Sequence, residues 1–380
     1  MNIDEMLLQM KSVLPEWMSS YCIVNGNTMP LDEIERMEYR EFYRRSKLYM
    51  PLKLYKFFPN TIKEEEGKPI NYSQLALINN TVFMQSPNEF DDVYDSDISI
   101  EYSDYEGLRL REYCNRCSII TSENASSQEL ITILARRFKD TYSETGSFKN
   151  AFTKSPGSEI EELSNESFSL SLQLEINKVN NWNQAISNII VSDYNYLVSR
   201  LKQTFRVACF TTSPYSQLMW GASYANFHKG FCLEYTVLPN DEKYQEVYYN
   251  LFPMIYCKSR SDMTQKLGQF QDQPITEEML WNIYLHGALR KSLDWTYQNE
   301  WRLLLPLNNK ENSNSFNKKF FPITKVFLGN RMPAENRKEI IDICKQRNIP
   351  YVGVTRNPNM FEMRDCKILC EDCPRFKNGI

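Results

Sequence analysis

Apolar residues recur at helical spacing near the start of the chain. The pattern predicts two helices, over residues 3–14 and 31–47. The second has acidic residues in its first turns and basic residues in its last turns, which suits the helix dipole. Residues 1–50 are therefore predicted to form an N-terminal helical arm.

A long middle segment, residues 105–203, also has a mostly helical pattern. Ser127 is placed to cap a helix over residues 130–140, and residues 182–203 carry apolar side chains near helical spacing. Between these helices, residues 143–166 are polar and contain glycine and proline, so this stretch is predicted to be flexible.

Short runs of apolar, β-branched and aromatic residues predict strands on both sides of that helical segment. Before it, the pattern predicts a strand over 52–58, a helix over 72–78 and a strand over 81–84. After it, the predicted strands cover residues 205–211, 230–237, 247–257, 301–307, 320–328 and 351–354. Two further helices are predicted over 276–293 and 334–347.

The order of these elements favours an α+β fold. Two strands, a helical block and a strand-rich half indicate one mixed or antiparallel sheet that is interrupted by a helical insertion. We therefore expect an α+β domain over residues 51–355, with the insertion at 105–203. The arm of residues 1–50 precedes this domain, and a cysteine-containing tail over 356–380 follows it.

The composition is that of a globular protein and excludes several functional classes. Apolar residues make up 42%, and 44 lysines and arginines nearly balance 48 acids, which argues against a disordered polyelectrolyte and a strongly basic nucleic-acid binder. None of the 12 glycines lies in a phosphate-binding loop motif, so Rossmann and P-loop sites lose their main support. Because the chain has 2 histidines, a three-histidine zinc site is excluded.

The sequence predicts neither a membrane span nor a signal peptide. No run approaches roughly 18 apolar residues, and acids stand near the start, where a signal peptide carries basic residues. The 10 cysteines are too sparse for a disulfide scaffold. We therefore expect a cytoplasmic protein with free thiols that does not enter a membrane.

Four segments combine aromatic, charged and small polar residues: 54–57 (LYKF), 83–92 (FMQSPNEFDD), 218–234 (LMWGASYANFHKGFCLE) and 295–302 (WTYQNEWR). In this order they resemble an uncharacterised bacterial family, a domain of unknown function with the motifs LYKY, FSSPxxFNDPFD, LMWxxYAxxHKGFCLEF and YExEWR. Some members are encoded near phage-defence genes. The resemblance implies a bacterial defence or toxin-type effector, with an unknown macromolecular acceptor and a neutralising or activating partner.

A second resemblance concerns the order of strands and polar residues. The arrangement is similar to the ADP-ribosyltransferase plan. It has a first strand with an aromatic residue and a cation, a second strand that ends in serine and a late strand that begins with glutamate. This resemblance implies NAD as the cofactor. It places Tyr55 or Lys56 at the adenosine ribose or phosphates, Ser86 at the nicotinamide ribose and Glu300 at a ribose hydroxyl.

The residue types suit that chemistry. Breaking the nicotinamide–ribose bond develops positive charge on the sugar, which a fixed Glu300 carboxylate would stabilise. If the strand predicted over 301–307 extends back by one residue, Arg302 shares a face with Glu300. Arg302 and Lys56 would then bind phosphate. Tyr224 is the candidate for stacking on the nicotinamide. The remaining candidates for cofactor binding are Trp220, His228 and Lys229.

Two other interpretations use some of the same residues. Glu300 and Arg302 would equally form a buried structural ion pair, and the aromatic pocket would then serve a ligand-sensing or binding module without turnover. The acids Asp91, Asp92 and Asp95 instead suggest the Mg²⁺ site of a metal-dependent nuclease, although acids in such positions also cap turns.

Cysteines offer a candidate zinc site. Cys366, Cys370 and Cys373 are closely spaced near the end of the chain. Cys114 and Cys117 form a second CxxC-type pair that would complete a site if the fold brought the two groups together.

Overall fold

The computed structural model describes residues 19–90, 92, 94–268, 276–307 and 315–367. It is a mixed α+β structure that divides into two compact units. The first unit is drawn from Met1–Asp95, Phe205–Ser259 and Leu289–Ile380, and the second from Ser96–Thr204 and Arg260–Ala288.

The strands of the described residues all lie in the first unit. They are β1 Tyr21–Val24, β2 Asn27–Pro30, β3 Lys53–Phe58, β4 Lys63–Glu65, β5 Lys68–Ile70, β6 Thr81–Gln85, β7 Phe205–Thr211, β8 Phe231–Thr236, β9 Leu251–Pro253, β10 Ile255–Cys257, β11 Arg290–Ser292, β12 Glu300–Pro306, β13 Ser315–Lys319, β14 Ile323–Leu328, β15 Tyr351–Arg356 and β16 Met363–Asp365.

The α-helices are distributed over both units. In the first unit they are Leu31–Glu35, Tyr39–Leu48, Tyr72–Asn79, Gln217–Gly221, Gln245–Tyr249 and Ala334–Gln346. In the second unit they are Tyr102–Arg116, Ser127–Thr145, Glu159–Val179, Trp182–Gln203, Thr264–Gly268 and Glu277–Ile283.

The largest sheet has the strand order β13-β6-β7-β3-β8-β14-β15-β16, and β12 pairs with both β7 and β9. Its strand pairs are antiparallel except for β14 with β15, which a helix connects. β12 pairs with β7 over its whole length, from Glu300 opposite Thr211 to Pro306 opposite Phe205. This register fixes where Glu300 and Arg302 lie, because a slip of one residue would turn both side chains to the opposite face.

Aromatic side chains fill the core beside this sheet. Phe320 is fully buried and stacks on Phe210, with 4.3 Å between the ring centroids. Tyr235 meets Phe320 edge-on at 4.9 Å. Edge-on and offset-stacked pairs of this kind stabilise a core beyond the area they bury. The three rings therefore hold β7, β8 and the segment between β13 and β14 together.

The region predicted as an all-helical arm contains a β-hairpin. β1 and β2 are joined by the Asn-Gly turn at residues 25–26, which has φ values of 50° and 77°. Asn-Gly favours this two-residue turn, and the helical prediction overlooked that signal. The helix predicted over 31–47 is broken into Leu31–Glu35 and Tyr39–Leu48. The helix predicted over 3–14 lies outside the described residues.

Three other predictions of local structure were wrong in part. The strand predicted over 247–257 begins as the short helix Gln245–Tyr249 before β9 and β10. The helix predicted over 276–293 ends as a π-helical turn, Tyr284–Ala288, and leads into β11. The segment predicted to be flexible contains part of the helix Glu159–Val179. β11 exists through its pairing with β10, which is distant in the sequence. The helix Glu159–Val179 instead starts at a local signal that the prediction overlooked, since the Ser158 side chain accepts from the backbone of Glu161.

The second unit is helical in its described residues, except for one isolated bridge between Ser99 and Asp262. Its second long helix starts at a capping box in which Ser126, rather than the predicted Ser127, accepts from the backbone of Glu129. Phe168 packs against Tyr113 and Phe138, with ring centroids 4.3 and 5.2 Å apart.

Candidate functional site

The functional candidates Glu300 and Arg302 meet in a buried cluster of charges at the start of β12. Side chains two residues apart on a strand share a face. Arg302 donates from Nε to Oε1 of Glu300 at 2.6 Å, and from its two terminal nitrogens to the two oxygens of Asp95 at 2.7 and 2.6 Å. This bidentate geometry commits the guanidinium to protein carboxylates.

Lys291 of β11 completes the cluster. Its Nζ lies 3.1 Å from Oε2 of Glu300 and 3.2 Å from Oδ2 of Asp95. It also donates to Oε1 of Gln298 at 2.9 Å. Two carboxylates and two cations therefore balance each other in a region where all four side chains are at most 8% exposed. We call Asp95, Lys291, Glu300 and Arg302 the β12 charge cluster.

The β12 charge cluster is held in its ionised form. Burial acts to raise the pKa of Glu300, but the charges of Arg302 and Lys291 outweigh it, so the pKa lies below its ordinary value. Burial acts to lower the pKa values of Arg302 and Lys291. The charges of Asp95 and Glu300 outweigh burial, so both pKa values lie above their ordinary values. Because each charge depends on the others, loss of one member would leave a buried charge unpaired.

A hydrogen-bonded path leads from the cluster to a more exposed aromatic group. Gln298, which accepts from Lys291, donates from Nε2 to the hydroxyl of Tyr224 at 2.9 Å. Tyr224 is 36% exposed. Lys291 Nζ also lies 5.0 Å from the ring centroid of Trp295, and Trp295 packs against Tyr297 at 6.0 Å. The cluster thus has an outer end made of aromatic rings.

Tyr55 and Lys56, the two candidates on β3, lie on opposite faces of the sheet, because consecutive residues of a strand alternate in direction. Lys56 donates to the backbone oxygen of Cys209 at 3.0 Å, and burial lowers its pKa. Cys209 lies opposite Arg302 in the strand register, so Lys56 is close to the β12 charge cluster. Tyr55 instead donates to Oε2 of Glu234 at 3.2 Å.

Ser86 and Trp220 are both engaged within the protein. Ser86 is buried and its hydroxyl accepts from the backbone of Asn88 at 3.4 Å, as the cap of a short 3₁₀ turn. Trp220 is fully buried, donates to the backbone oxygen of Pro214 at 2.7 Å and meets Phe57 edge-on at 5.0 Å. An indole enclosed in this way serves the core rather than stacking on a ligand.

His228 and Lys229 follow Trp220 in a turn with unusual backbone geometry. Asn226, Phe227 and His228 have φ values of 46°, 54° and 69°, which are uncommon for residues with a β-carbon. The imidazole of His228 stacks on Trp220 at 6.4 Å, and Lys229 is exposed. Burial and the nearby charge of Arg331 lower the pKa of His228, so its side chain is neutral at neutral pH.

The acidic residues proposed for a nuclease site make different interactions. Asp95 pairs with Arg302, whereas Asp92 accepts from the backbone of Tyr94 at 3.0 Å within a turn. Asp91 lies outside the described residues. Across the described ranges, no group of three His, Cys, Asp or Glu side chains is arranged to hold a metal ion.

The zinc prediction cannot be placed in full, since Cys370 and Cys373 lie outside the described residues. Cys366 is part-buried in the first unit. Cys114 and Cys117 are buried in the second unit, where burial raises their pKa values to about 11 and about 12. Thiols with raised pKa values are protonated at neutral pH.

Sequence reasoning overlooked Lys291 and Gln298 as members of the site. Gln298 stands inside the WTYQNEWR segment, at the position where it departs from the family pattern. Lys291 lies outside every motif, and its position depends on the pairing of β11 with β10. Asp95 was named only as a metal ligand, because no local pattern shows that Arg302 will reach it.

Residues 219–303 match the model of a protein family described as a protein of unknown function, DUF2971. No curated protein and no solved structure matches the chain significantly. The match supports the resemblance to an uncharacterised family, and it spans the candidates Trp220, Tyr224, His228, Lys229, Glu300 and Arg302. Within the described residues, no helix is both long and apolar enough to cross a membrane.

Proposed function

We propose that the first unit carries an NAD-using site of a bacterial defence or toxin-type effector, which hydrolyses NAD or transfers ADP-ribose to a macromolecule. One observation carries this proposal. Glu300 is a buried, ionised carboxylate whose cluster is linked through Gln298 to the partly exposed ring of Tyr224. A fixed negative charge beside an aromatic surface suits a reaction that develops a ribosyl cation.

Glu300 retains capacity to bind a ribose hydroxyl. A carboxylate has about four acceptor sites, and Glu300 uses one on each oxygen, for Arg302 and for Lys291. A hydroxyl of the substrate would therefore add to the existing bonds without displacing a cation. The paired cations keep Glu300 ionised, which is the form that would stabilise positive charge on the sugar.

The structure changes the roles of the cations within this proposal. Arg302 is committed to Asp95 and Glu300, so we assign it to positioning Glu300 rather than to binding phosphate. Lys291 lies nearer the aromatic end, 5.0 Å from the Trp295 ring, but its ammonium is shared by Gln298, Glu300 and Asp95. We therefore assign Lys291 as well to positioning Glu300. Tyr224 supplies the aromatic surface for nicotinamide.

The test follows NAD that is labelled in its adenosine part, incubated with the full chain and bacterial lysate. We expect release of nicotinamide or transfer of label to a macromolecule. Glu300→Gln keeps the shape of the side chain and removes its charge, so it should lower the rate by about 10²–10³-fold, as for loss of one transition-state contact. Glu234→Gln is the matched control, because Glu234 is a part-buried carboxylate of the same sheet that pairs with Lys53.

Tyr224→Phe distinguishes the role of the Tyr224 ring, proposed to stack on nicotinamide, from that of its hydroxyl, which bonds to Gln298. It removes only the hydroxyl that accepts from Gln298 and keeps the aromatic face. We expect NAD affinity to remain within about threefold of the wild type, because stacking depends on the ring. Three results together would refute the proposed function: NAD stays unaltered, no macromolecule in the lysate is labelled, and folded wild-type protein does not bind NAD.

A second candidate is a nucleotide-binding module without turnover. It is favoured by the burial of Glu300, whose side chain is 5% exposed and whose two oxygens each accept from a cation. A carboxylate in such a cluster also acts as a structural element that fixes β11 against β12. This candidate predicts that NAD binds and is recovered intact, and that Glu300→Gln alters thermal stability more than it alters affinity.

A further inference from the structure

A cleft in the first unit lies apart from the β12 charge cluster. Its volume is about 670 Å³, and it lies between the turn at His228, the loop after β14 and the loop between β15 and β16. Clefts of roughly 300–1,000 Å³ are the usual size of small-molecule sites. The lining shares no residue with the β12 charge cluster, Gln298 or Tyr224.

The lining of the cleft is cationic. Arg331 and Arg356 contribute two guanidinium groups, and both residues are exposed. The acid of the lining, Glu362, accepts from Nδ2 of Asn357 at 3.0 Å through one of its oxygens. A pair of guanidinium groups at one cleft suits phosphate, since each presents several donors in a planar fork.

Neutral polar groups line the same cleft. His228 and Asn330 each have one side-chain atom, Nδ1 and Oδ1 respectively, that is buried without a hydrogen-bond partner among the described residues. Unpaired buried polar atoms are costly in a folded protein. Rotation of either side chain toward a polar ligand in the cleft would supply the missing bond.

One wall of the cleft is fixed by close backbone packing. The backbone of Arg331 donates to the oxygen of His228 at 3.1 Å, and that of Gly329 donates to the oxygen of Gly230 at 3.0 Å. A β-carbon on Gly329 would lie 2.1 Å from the oxygen of His228, so the two segments meet at a distance only glycine allows. A wall held in this way is ordered before a ligand arrives, which favours binding.

The opposite rim offers an aromatic ring. Phe361 is 99% exposed and the neighbouring Met360 is 61% exposed, and both line the cleft. Phe361 lines the same cleft as Arg331 and Arg356, and its ring is open to a ligand. Stacking on a nucleobase would cover it while the arginines bind phosphate.

We propose that this cleft binds a nucleoside phosphate through Arg331 and Arg356 at the phosphates and Phe361 at the base. Because the cleft and the β12 charge cluster have no lining residue in common, the ligand would be a second nucleotide, distinct from the proposed NAD substrate. Both arginines and Phe361 are exposed, so their replacement should leave the fold intact.

The experiment measures ADP and inorganic phosphate binding to the full chain by calorimetry. The double variant Arg331→Ala/Arg356→Ala should weaken ADP binding about tenfold or more, since hydrogen bonds to charged groups are lost. Phe361→Ala should weaken ADP binding by roughly fivefold or more but leave phosphate binding unchanged, because only the base stacks on the ring. Arg36→Ala, at an arginine whose side chain is 82% exposed, is the control and should change neither affinity.

Three results would overturn this inference. One is the absence of ADP binding to the wild type at concentrations up to about 1 mM. Another is unchanged ADP affinity in the double arginine variant with its fold intact. The third is that a single-stranded oligonucleotide binds the protein more tightly than ADP does and binds the same variants more weakly. That result would assign the cleft to nucleic acid.

Discussion

Arg302→Met would remove one of the two cations of the β12 charge cluster while keeping most of the volume of the side chain. Arg302 is fully buried, and it makes hydrogen bonds of 2.6 to 2.7 Å to Glu300 and Asp95. Methionine fills the space but donates no hydrogen bond. Two carboxylates would then share the single charge of Lys291.

The expected cost is about 3–5 kcal/mol of the free energy of unfolding, the range for breaking a buried ion pair by removal of one partner. This is a large fraction of the roughly 5–15 kcal/mol that stabilises a typical protein. An exposed ion pair gives the matched control. Arg44 is 66% exposed and pairs with Glu41, so Arg44→Met should leave the free energy of unfolding nearly unchanged.

The pH dependence of stability should also change sign. In the wild type the pKa of Glu300 is lower in the folded protein than in the unfolded chain. Ionised Glu300 therefore contributes its full stability above the ordinary glutamate pKa, and this contribution is lost as the pH falls through the pKa of the folded protein. In Arg302→Met, repulsion between Asp95 and Glu300 would raise the pKa of one of them above its unfolded value. The variant would then gain stability as the pH falls from about 7 to about 5.

Urea unfolding, followed by tryptophan fluorescence at about pH 7 and about pH 5, measures both effects. The difference in free energy between wild type and Arg302→Met should be largest at neutral pH and should shrink at the lower pH. A loss of less than about 1 kcal/mol at neutral pH, or a difference that grows on acidification, would refute the assignment of a buried, ionised cluster.

Three further predictions concern stability. Phe320→Ala, which removes the ring stacked on Phe210, should cost about 3–5 kcal/mol in urea unfolding, and a cost below about 1 kcal/mol would contradict the packing. Gly329→Ala would place a β-carbon 2.1 Å from the oxygen of His228, so it should lower thermal stability by about 1–3 kcal/mol or more, and an unchanged melting temperature would argue against that close approach. Ser126→Ala should cost about 1 kcal/mol and speed hydrogen exchange in the first turn of its helix, whereas unaltered exchange would speak against the cap.

Part of the fold was accessible from local patterns. The strand beginning near residue 301, the helices predicted over 130–140 and 182–203 and the α+β class follow from periodicity, which depends only on neighbouring side chains. The hairpin at residues 25–26 was also accessible, because Asn-Gly is a strong turn signal, but the helical prediction passed over it. The division of residues 276–293 into helix, π-helical turn and strand was not accessible, since β11 exists only through its pairing with β10.

The candidate site divides in the same way. Alternation along the backbone was enough to predict that Glu300 and Arg302 share one face, provided that the strand begins at Glu300, as β12 does. The folding of the whole chain brings Asp95 and Lys291 to them and turns Tyr55 to Glu234. It also engages Trp220 in packing and Ser86 in capping. Contacts between distant segments depend on strand order and register, and these are set by burial of the whole chain rather than by any local pattern.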